Sequence, residues 1–326
     1  MAFPSSISDI IATTIQNRSG VIADNVTKNN ALLTYLQKQG NIKKFSGGNT
    51  IMQELSFAEN GNAGWYSGYD LLPVAAQDVI GAAEYQIKQC AVPVVVSGLE
   101  QLQNAGKEQI IDLLESRIAV AEATMANMVA AGIYADGTGF AGKEITGLNA
   151  QVAVTPTNTV GGIDRNTTIG AFWKNKSVDA STYLSGATTS SNIQQLFNYM
   201  WAQLVRGQDR PKLLVVDNNY WGLYMASLQA NQRFSSSAEA DLGFVTLKYM
   251  DADVVLDGGV GGFMGSSKAY FLNPKYLHYR PHAQRNMVPL SPGKRYSVNQ
   301  DAEVQILAWA GNLTASNLSL QGVIVE

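Results

Sequence analysis

Apolar positions change their period several times along this 326-residue chain, and each change marks an element. Ile51, Leu55 and Phe57 alternate with Met52, Glu54 and Ser56, the two-residue period of a strand with one covered face. Glu59-Asn60-Gly61-Asn62-Ala63-Gly64 follows; its Asn-Gly pair readily takes the positive φ that a hairpin turn needs. Trp65 to Asp70 then reads as an aromatic-rich return strand, so 49–72 is predicted to be a long β-hairpin. Two strands cannot bury a face on each other. The ribbon therefore lies on something else, either the edge of its own domain or a neighbour.

Glu84 to Gln89 alternates again and leads into the apolar run Cys90-Ala-Val-Pro-Val-Val-Val96. The period then switches to three and four. Ile111, Leu114, Ile118, Ala121, Met125 and Met128 form one stripe, with Asp112, Glu115 and Glu122 off it. A helix over 104–134, ended by Asp136-Gly137, is predicted. At about 1.5 Å per residue it is roughly 45 Å long, a spine and not an ordinary helix. Residues 135–190 are rich in Gly, Thr, Asn and Ser and read as loops with short β pieces. Next comes a compact α/β unit: a helix over 192–206, a buried strand over 211–216, a helix over 218–230 and extended chain over 244–256. The tail reads as strands at 269–272, 275–279, 303–309 and 320–325, with Pro281, Pro289 and Pro292 as punctuation. The class is α+β, without the repeating βαβ order of a nucleotide-binding sheet.

Composition narrows this picture. Hydrophobic residues make up 46% and charged residues 15%, enough for a real core but with a surface poorer in charge than the roughly 25% usual in soluble proteins. A surface of that kind fits a protein covered by neighbours. The net charge is −3, yet residues 1–44 carry Arg18, Lys28, Lys38, Lys43 and Lys44 against only Asp9 and Asp24. This amino-terminal stretch has short helical patches at 7–15 and 30–39 and no strong core pattern, so it reads as an arm. Its positive balance is either an ordinary solvated charge or a contact with acids such as Glu54, Glu59 or Asp70, or with DNA. The single cysteine, Cys90, excludes a disulfide framework and a thiolate zinc cluster. No stretch reaches the ~18 apolar residues of a membrane span, and Met1–Ile11 lacks a signal-peptide layout. Cytosolic synthesis is the expectation.

Several partial motifs carry no chemistry. Gly137-Thr-Gly139-Phe-Ala-Gly142 has dinucleotide-loop spacing but follows a helix where a strand is required, and so reads as a turn. The run Asp257 to Gly265 is glycine-rich without a phosphate-loop lysine and reads as a link. His278 and His282 have the i, i+4 spacing of a helical metal pair, but Pro281 and the extended run around them remove that geometry. Asp251, Asp253 and Asp257 read as a polar strand face and not as a cation site. With two histidines and one cysteine there is no nucleophile–base set, and neither catalysis nor a cofactor is expected.

The order of arm, hairpin, strand, spine helix, loop-rich insert, α/β unit and closing strands resembles the major capsid proteins of tailed bacteriophages. These are the Hong Kong 97-like fold family, shared with encapsulins. Three segments carry the likeness: Gly161-Gly-Ile-Asp-Arg165 with Phe172-Trp-Lys-Asn175, Leu214-Val-Val-Asp-Asn-Asn219, and Gly311-Asn-Leu313 through Gly322-Val-Ile324. The resemblance implies an amino-terminal arm at 1–44, an extended hairpin loop at 45–75 and a peripheral domain at 76–189 containing the spine helix. An apical α/β domain at 190–265 and peripheral return strands at 266–326 complete the division.

The resemblance further implies self-assembly through homo-pentamers and homo-hexamers into an icosahedral shell around double-stranded DNA, which the chain touches nonspecifically. A separate scaffolding protein, a portal and a decoration protein are the implied partners, without a membrane. Some relatives cross-link through a lysine on the extended loop. Phe45 to Pro73 contains none, so noncovalent clamping is expected. The nominated subunit-interface residues are Phe57, Trp65, Tyr66, Tyr69, Glu54, Lys43, Lys44 and Trp173. An encapsulin-like compartment, and an α/β enzyme or ligand-binding protein, stay open as alternatives.

Overall fold

A computed structural model describes residues 30–99, 107–228, 246–257, 263–290 and 302–326. In chain order these form α1 (Ala31–Lys38), β1 (Thr50–Ser56), β2 (Ile80–Gln86), β3 (Lys88–Ser97), α2 (Lys107–Tyr134), α3 (Leu148–Gln151), β4 (Thr159–Val160), β5 (Ile163–Asp164), β6 (Lys176–Asp179) and α4 (Ala180–Leu184). Then follow α5 (Ile193–Leu204), β7 (Leu213–Val216), α6 (Asn218–Leu228), β8 (Thr246–Tyr249), β9 (Ala252–Leu256), β10 (Lys268–Leu272), β11 (Leu277–Pro289), β12 (Ala302–Ala315) and β13 (Gly322–Val325).

A six-stranded sheet in the order β6-β13-β10-β7-β9-β8 forms the centre. It is covered on both faces, which is why Leu213-Leu-Val-Val216 is apolar at every position. Leu214, Val216, Val254, Phe271 and Ile324 meet α5 and α6, while Leu213, Val215, Val255, Leu272 and Val323 face a second, larger core. Asp217 connects strand to helix. Its Oδ1 accepts from Tyr220 N at 3.0 Å and its Oδ2 from Ser267 N at 2.6 Å, capping α6 and tying it to the start of β10. The sheet takes β6, β10 and β13 from outside 190–265, so the α/β unit is not a contiguous insert. A division of the chain at 265/266 separates strands that hydrogen-bond to each other.

The second sheet, β11-β12-β3, is antiparallel, and α2 lies across one of its faces. Ile118, Ala121, Met125, Val129 and Ile133 of α2 are buried, while Met128 is half-exposed. The stripe steps by four from Met125 to Val129, leaving Met128 at its margin; the side chains of Ile111 and Leu114 lie outside the described residues. Cys90 is packed against this helix, its Sγ 3.3 Å from Met125 Sδ, and burial pushes its thiol up to about 12. β11 and β12 are longer than the proline pattern implies. Pro281 lies inside β11, an edge strand, where a missing N–H is tolerated and the register shifts just beyond it.

Two further expectations change. The short helix expected at 30–39 is present as α1, capped by Asn30 accepting from Leu33 N at 3.1 Å, but it is not part of an arm: Leu32, Leu33 and Leu36 are core residues. Two helical turns are too short for a core-facing stripe to show. Residues 1–29, including the patch at 7–15, lie outside the described residues. The ribbon also pairs differently. The partner of β1 is β2, with Ile51 opposite Tyr85 and Leu55 opposite Gly81, and Trp65–Asp70 forms no strand. Aromatic propensity favours a strand only where a partner edge is within reach, and the edge of β1 is already taken by β2.

Candidate functional site

The base of the ribbon is seated on its own chain. Ile51, Leu55, Ala83 and Tyr85 point inward and are buried, Glu84 N donates to Gly161 O at 2.9 Å, and Ala315 N donates to Tyr85 Oη at 3.3 Å. Gly161 has φ +61, and a Cβ there would sit 2.8 Å from the Ala83 side chain, so only glycine lets the backbone come this close.

The loop that supplies Gly161 is organised by Arg165, which is fully buried without a carboxylate. Its Nε donates to Asn158 O at 3.1 Å, Nη1 to Gln151 O at 2.8 Å and Asn175 Oδ1 at 3.0 Å, and Nη2 to Ala150 O at 2.6 Å and to Asn158 Oδ1. Burial lowers its pKa to about 10, so it stays cationic at neutral pH. Trp173 Nε1 donates to Val160 O at 3.1 Å. The two halves of the 161–175 motif thus meet in one buried polar knot.

Beyond this seat the chain is uncovered. From Phe57 to Val79 it makes a wide loop closed at its root by Phe57 N donating to Val79 O at 3.1 Å. Inside it are small turns: Ala63 N donates to Asn60 O at 3.1 Å, and Ser67 N to Asp70 Oδ2 at 2.8 Å. Trp65 is 106% exposed, Tyr69 105% and Leu71 99%, and Tyr66, Leu72 and Val74 are also exposed. A contiguous run of large apolar side chains on an irregular loop has no stabilising role within one subunit.

Of the nominated residues, the structure brings Trp65, Tyr66 and Tyr69 together on this loop. Phe57 stands at its root, 36% exposed, with its ring 5.7 Å from that of Phe172. Glu54 is exposed on the outer face of β1, and Lys43 and Lys44 are exposed at the base of the ribbon. Trp173 is corrected: at 1% exposure it belongs to the subunit core and presents nothing to a neighbour. Leu71, Leu72 and Val74 were not nominated. Their signal was an apolar run lying outside any periodic segment.

The partial motifs also settle. Gly137 (φ +81) to Gly142 (φ +78) is a left-handed turn after α2. Asp251 pairs with Arg210 at 2.6 Å, Asp253 with Lys248, and Asp257 accepts from Tyr134 Oη, so each of the three carboxylates has its own partner. Residues 258–262 of the glycine-rich run lie outside the described residues. Among the described residues no cluster of three metal-ligating side chains occurs, and no helix is long and apolar enough to cross a membrane.

No family model and no curated protein matches the chain. Solved structures do. The capsid asymmetric unit of cyanophage A-1(L) superposes with a TM-score of 0.61 at 17% identity, covering 87% of this chain and 90% of that chain. The chain has a phage-capsid fold. The capsid of the native GTA particle gives 0.57 at 12% identity over 89% of each chain. Gordonia phage Cozz gives 0.52 at 10% identity over 90% of this chain and 86% of that one. At such identities the capsid fold is retained through burial pattern and topology and not through particular side chains.

Among the titratable groups of this capsid-fold core is a histidine. His278 on β11 is buried, its Nδ1 has no hydrogen-bond partner, and burial with Lys43 and Arg280 nearby holds its pKa down at about 4. A depressed folded-state pKa means that the unfolded chain binds the proton first. Its contribution to stability is therefore complete above about pH 6.5 and is lost as pH falls through about 4, amounting to roughly 3 kcal/mol. Urea midpoints should fall between pH 7.5 and 4.5, and His278→Gln should flatten that part of the profile. An equal fall in wild type and variant would show that other groups control it.

Proposed function

We propose that this chain is the major capsid subunit of a tailed phage or phage-like particle, with a Hong Kong 97-like arrangement of peripheral and apical regions. Subunits join as pentamers and hexamers into an icosahedral shell around double-stranded DNA. The observation that carries this reading is the 57–79 loop: a run of uncovered aromatic and aliphatic side chains, on a rigid seat, in a chain of capsid fold. Aromatic anchors dominate the energetics of stable interfaces, and obligate contacts bury on the order of 2,000 Å² or more. A loop from each subunit laid over the next makes contacts multivalent around a ring, so modest pair contacts add up.

With no lysine between Phe45 and Pro73, the clamp holds without a covalent cross-link. A separate scaffolding protein guides closure, a portal occupies one vertex, decoration proteins bind the finished shell, and DNA contacts are made nonspecifically through phosphates. The working location is the virion capsid, assembled in the host bacterial cytoplasm. Size-exclusion chromatography and electron microscopy of the purified full chain test this reading. Megadalton rings or shells are expected; a monomer or dimer at assembly concentrations would overturn it. Shells filled with a protein cargo and free of DNA would point to a compartment instead.

A further inference from the structure

The face of the β11-β12-β3 sheet opposite α2 carries cations that have found no acid. Residues 41–45 add to the outer edge of β11 in parallel register: Lys43 N donates to Tyr279 O at 3.0 Å, Phe45 N to Pro281 O at 3.2 Å, and Ala283 N to Phe45 O at 2.8 Å. This pairing fixes Lys43 beside Arg280 of β11, on the face that also carries Arg285, while Lys44, one residue on, alternates to the face of Tyr279 and Pro281. The Phe45 ring stands edge-on to His282 at 4.9 Å and anchors the segment. Arg280 reaches only the neutral Gln53 Oε1 at 3.4 Å, and Arg285 only Gln89 Oε1 at 2.9 Å. Among the described residues none of Lys43, Arg280 and Arg285 meets a carboxylate.

The complementary charge lies on the ribbon. Between Phe45 and Ile87 there are five carboxylates (Glu54, Glu59, Asp70, Asp78 and Glu84) and no lysine, arginine or histidine. Within one chain the two sets cannot meet. Gln53 is the ribbon residue at Arg280, Glu54 and Glu84 lie on the exposed outer face of the ribbon, and Glu59, Asp70 and Asp78 lie past its far end. That end is three rungs on, roughly 10 Å away, beyond the reach of an ion pair.

We propose that the strip formed by Lys43, Arg280 and Arg285 is the dock for the carboxylate-bearing 57–79 loop of a second copy of this chain. This rests on the reading of that loop as an assembly element. It adds the receiving surface and a reason for the register: the aromatic side chains supply adhesion, and the charges select where on the neighbour the loop lies.

Two measurements on the full-length protein test this. Light and heavy-isotope preparations are mixed during assembly and treated with a zero-length carbodiimide. Mixed-isotope peptides joining Lys43 to Glu59, Asp70 or Asp78 are expected; finding only same-chain joins, or none, overturns the dock. Their appearance in small oligomers that never close would support the dock and count against the shell. Next, Lys43→Glu and Arg285→Glu together should leave thermal unfolding unchanged and lower particle yield at least tenfold. Adding Glu59→Lys, Asp70→Lys and Asp78→Lys should restore it. Unchanged yield from the strip variant, or no recovery in the combined one, overturns the proposal. Normal particles with reduced nucleic-acid content would instead make the strip a phosphate surface, and likewise overturn it.

Discussion

Trp65→Ala combined with Tyr69→Ala will leave the subunit folded and abolish particle formation. Both side chains are fully exposed, at 106% and 105%, so their truncation removes no intrachain packing, and surface changes of this kind stay within about 0.5 kcal/mol. At an interface the same two rings are anchors worth roughly 2 kcal/mol each. Losing both weakens each pairwise contact about a thousandfold, and a closed ring needs every contact at once. The expected result is an unchanged unfolding midpoint with only small species on a sizing column. Normal particles from this variant would sink the clamp. Phe57 is a poorer probe because its ring also packs on Phe172, so its loss mixes folding with assembly.

Arg165→Met will destabilise the folded subunit by about 4 kcal/mol. Methionine approximates the length of the side chain but leaves the carbonyls of Ala150, Gln151 and Asn158, and the amides of Asn158 and Asn175, without their donor. Each buried group stranded this way costs roughly 1–3 kcal/mol, reduced where the loop relaxes toward water. Urea denaturation should show a midpoint lower by about 1–2 M. Arg165→Lys, which keeps the charge but not the planar fork, should lose about half as much. The effect should also spread, because the loop that Arg165 holds presents Gly161 to the ribbon base. Assembly yield is therefore expected to fall even where the variant stays soluble. A midpoint within about 0.3 M of wild type would show that the knot is not a stabilising element.

Several elements were legible in the residues alone because their signals are local. The helix at 107–134 follows from a three-and-four repeat sustained over many turns. The buried strand at 213–216, followed at once by a helix, follows from an unbroken apolar run ending in a helix start. Ile51 and Leu55 are inward-facing as their alternation requires. The glycine motif at 137–142 is a turn because a helix precedes it.

What depends on which distant segment lies alongside was not legible. The two-residue period predicts that β1 has a covered face but not that its partner is β2, and it cannot distinguish a ribbon on its own chain from one on a neighbour. Trp65 and Trp173 look alike in the sequence. One is uncovered and the other buried: Trp173 packs into the core beside Phe172 with its N–H donated to Val160 O, while Trp65 lies on a loop that no other described residue covers. Arg165 among glycines and asparagines reads as a solvated turn residue, and its burial depends on five acceptors converging from 150–175. The cationic strip arises only when residues 41–45 align with β11, with the hydrogen-bonded partners 236 or more positions apart. Sequence by itself determined most of the kinds of element and their order, since these rest on local period and turn chemistry, and it is that order which resembles the capsid proteins. Tertiary structure alone decided the pairing, the burial of like residues and the faces left uncovered, because those depend on contacts that no local pattern encodes.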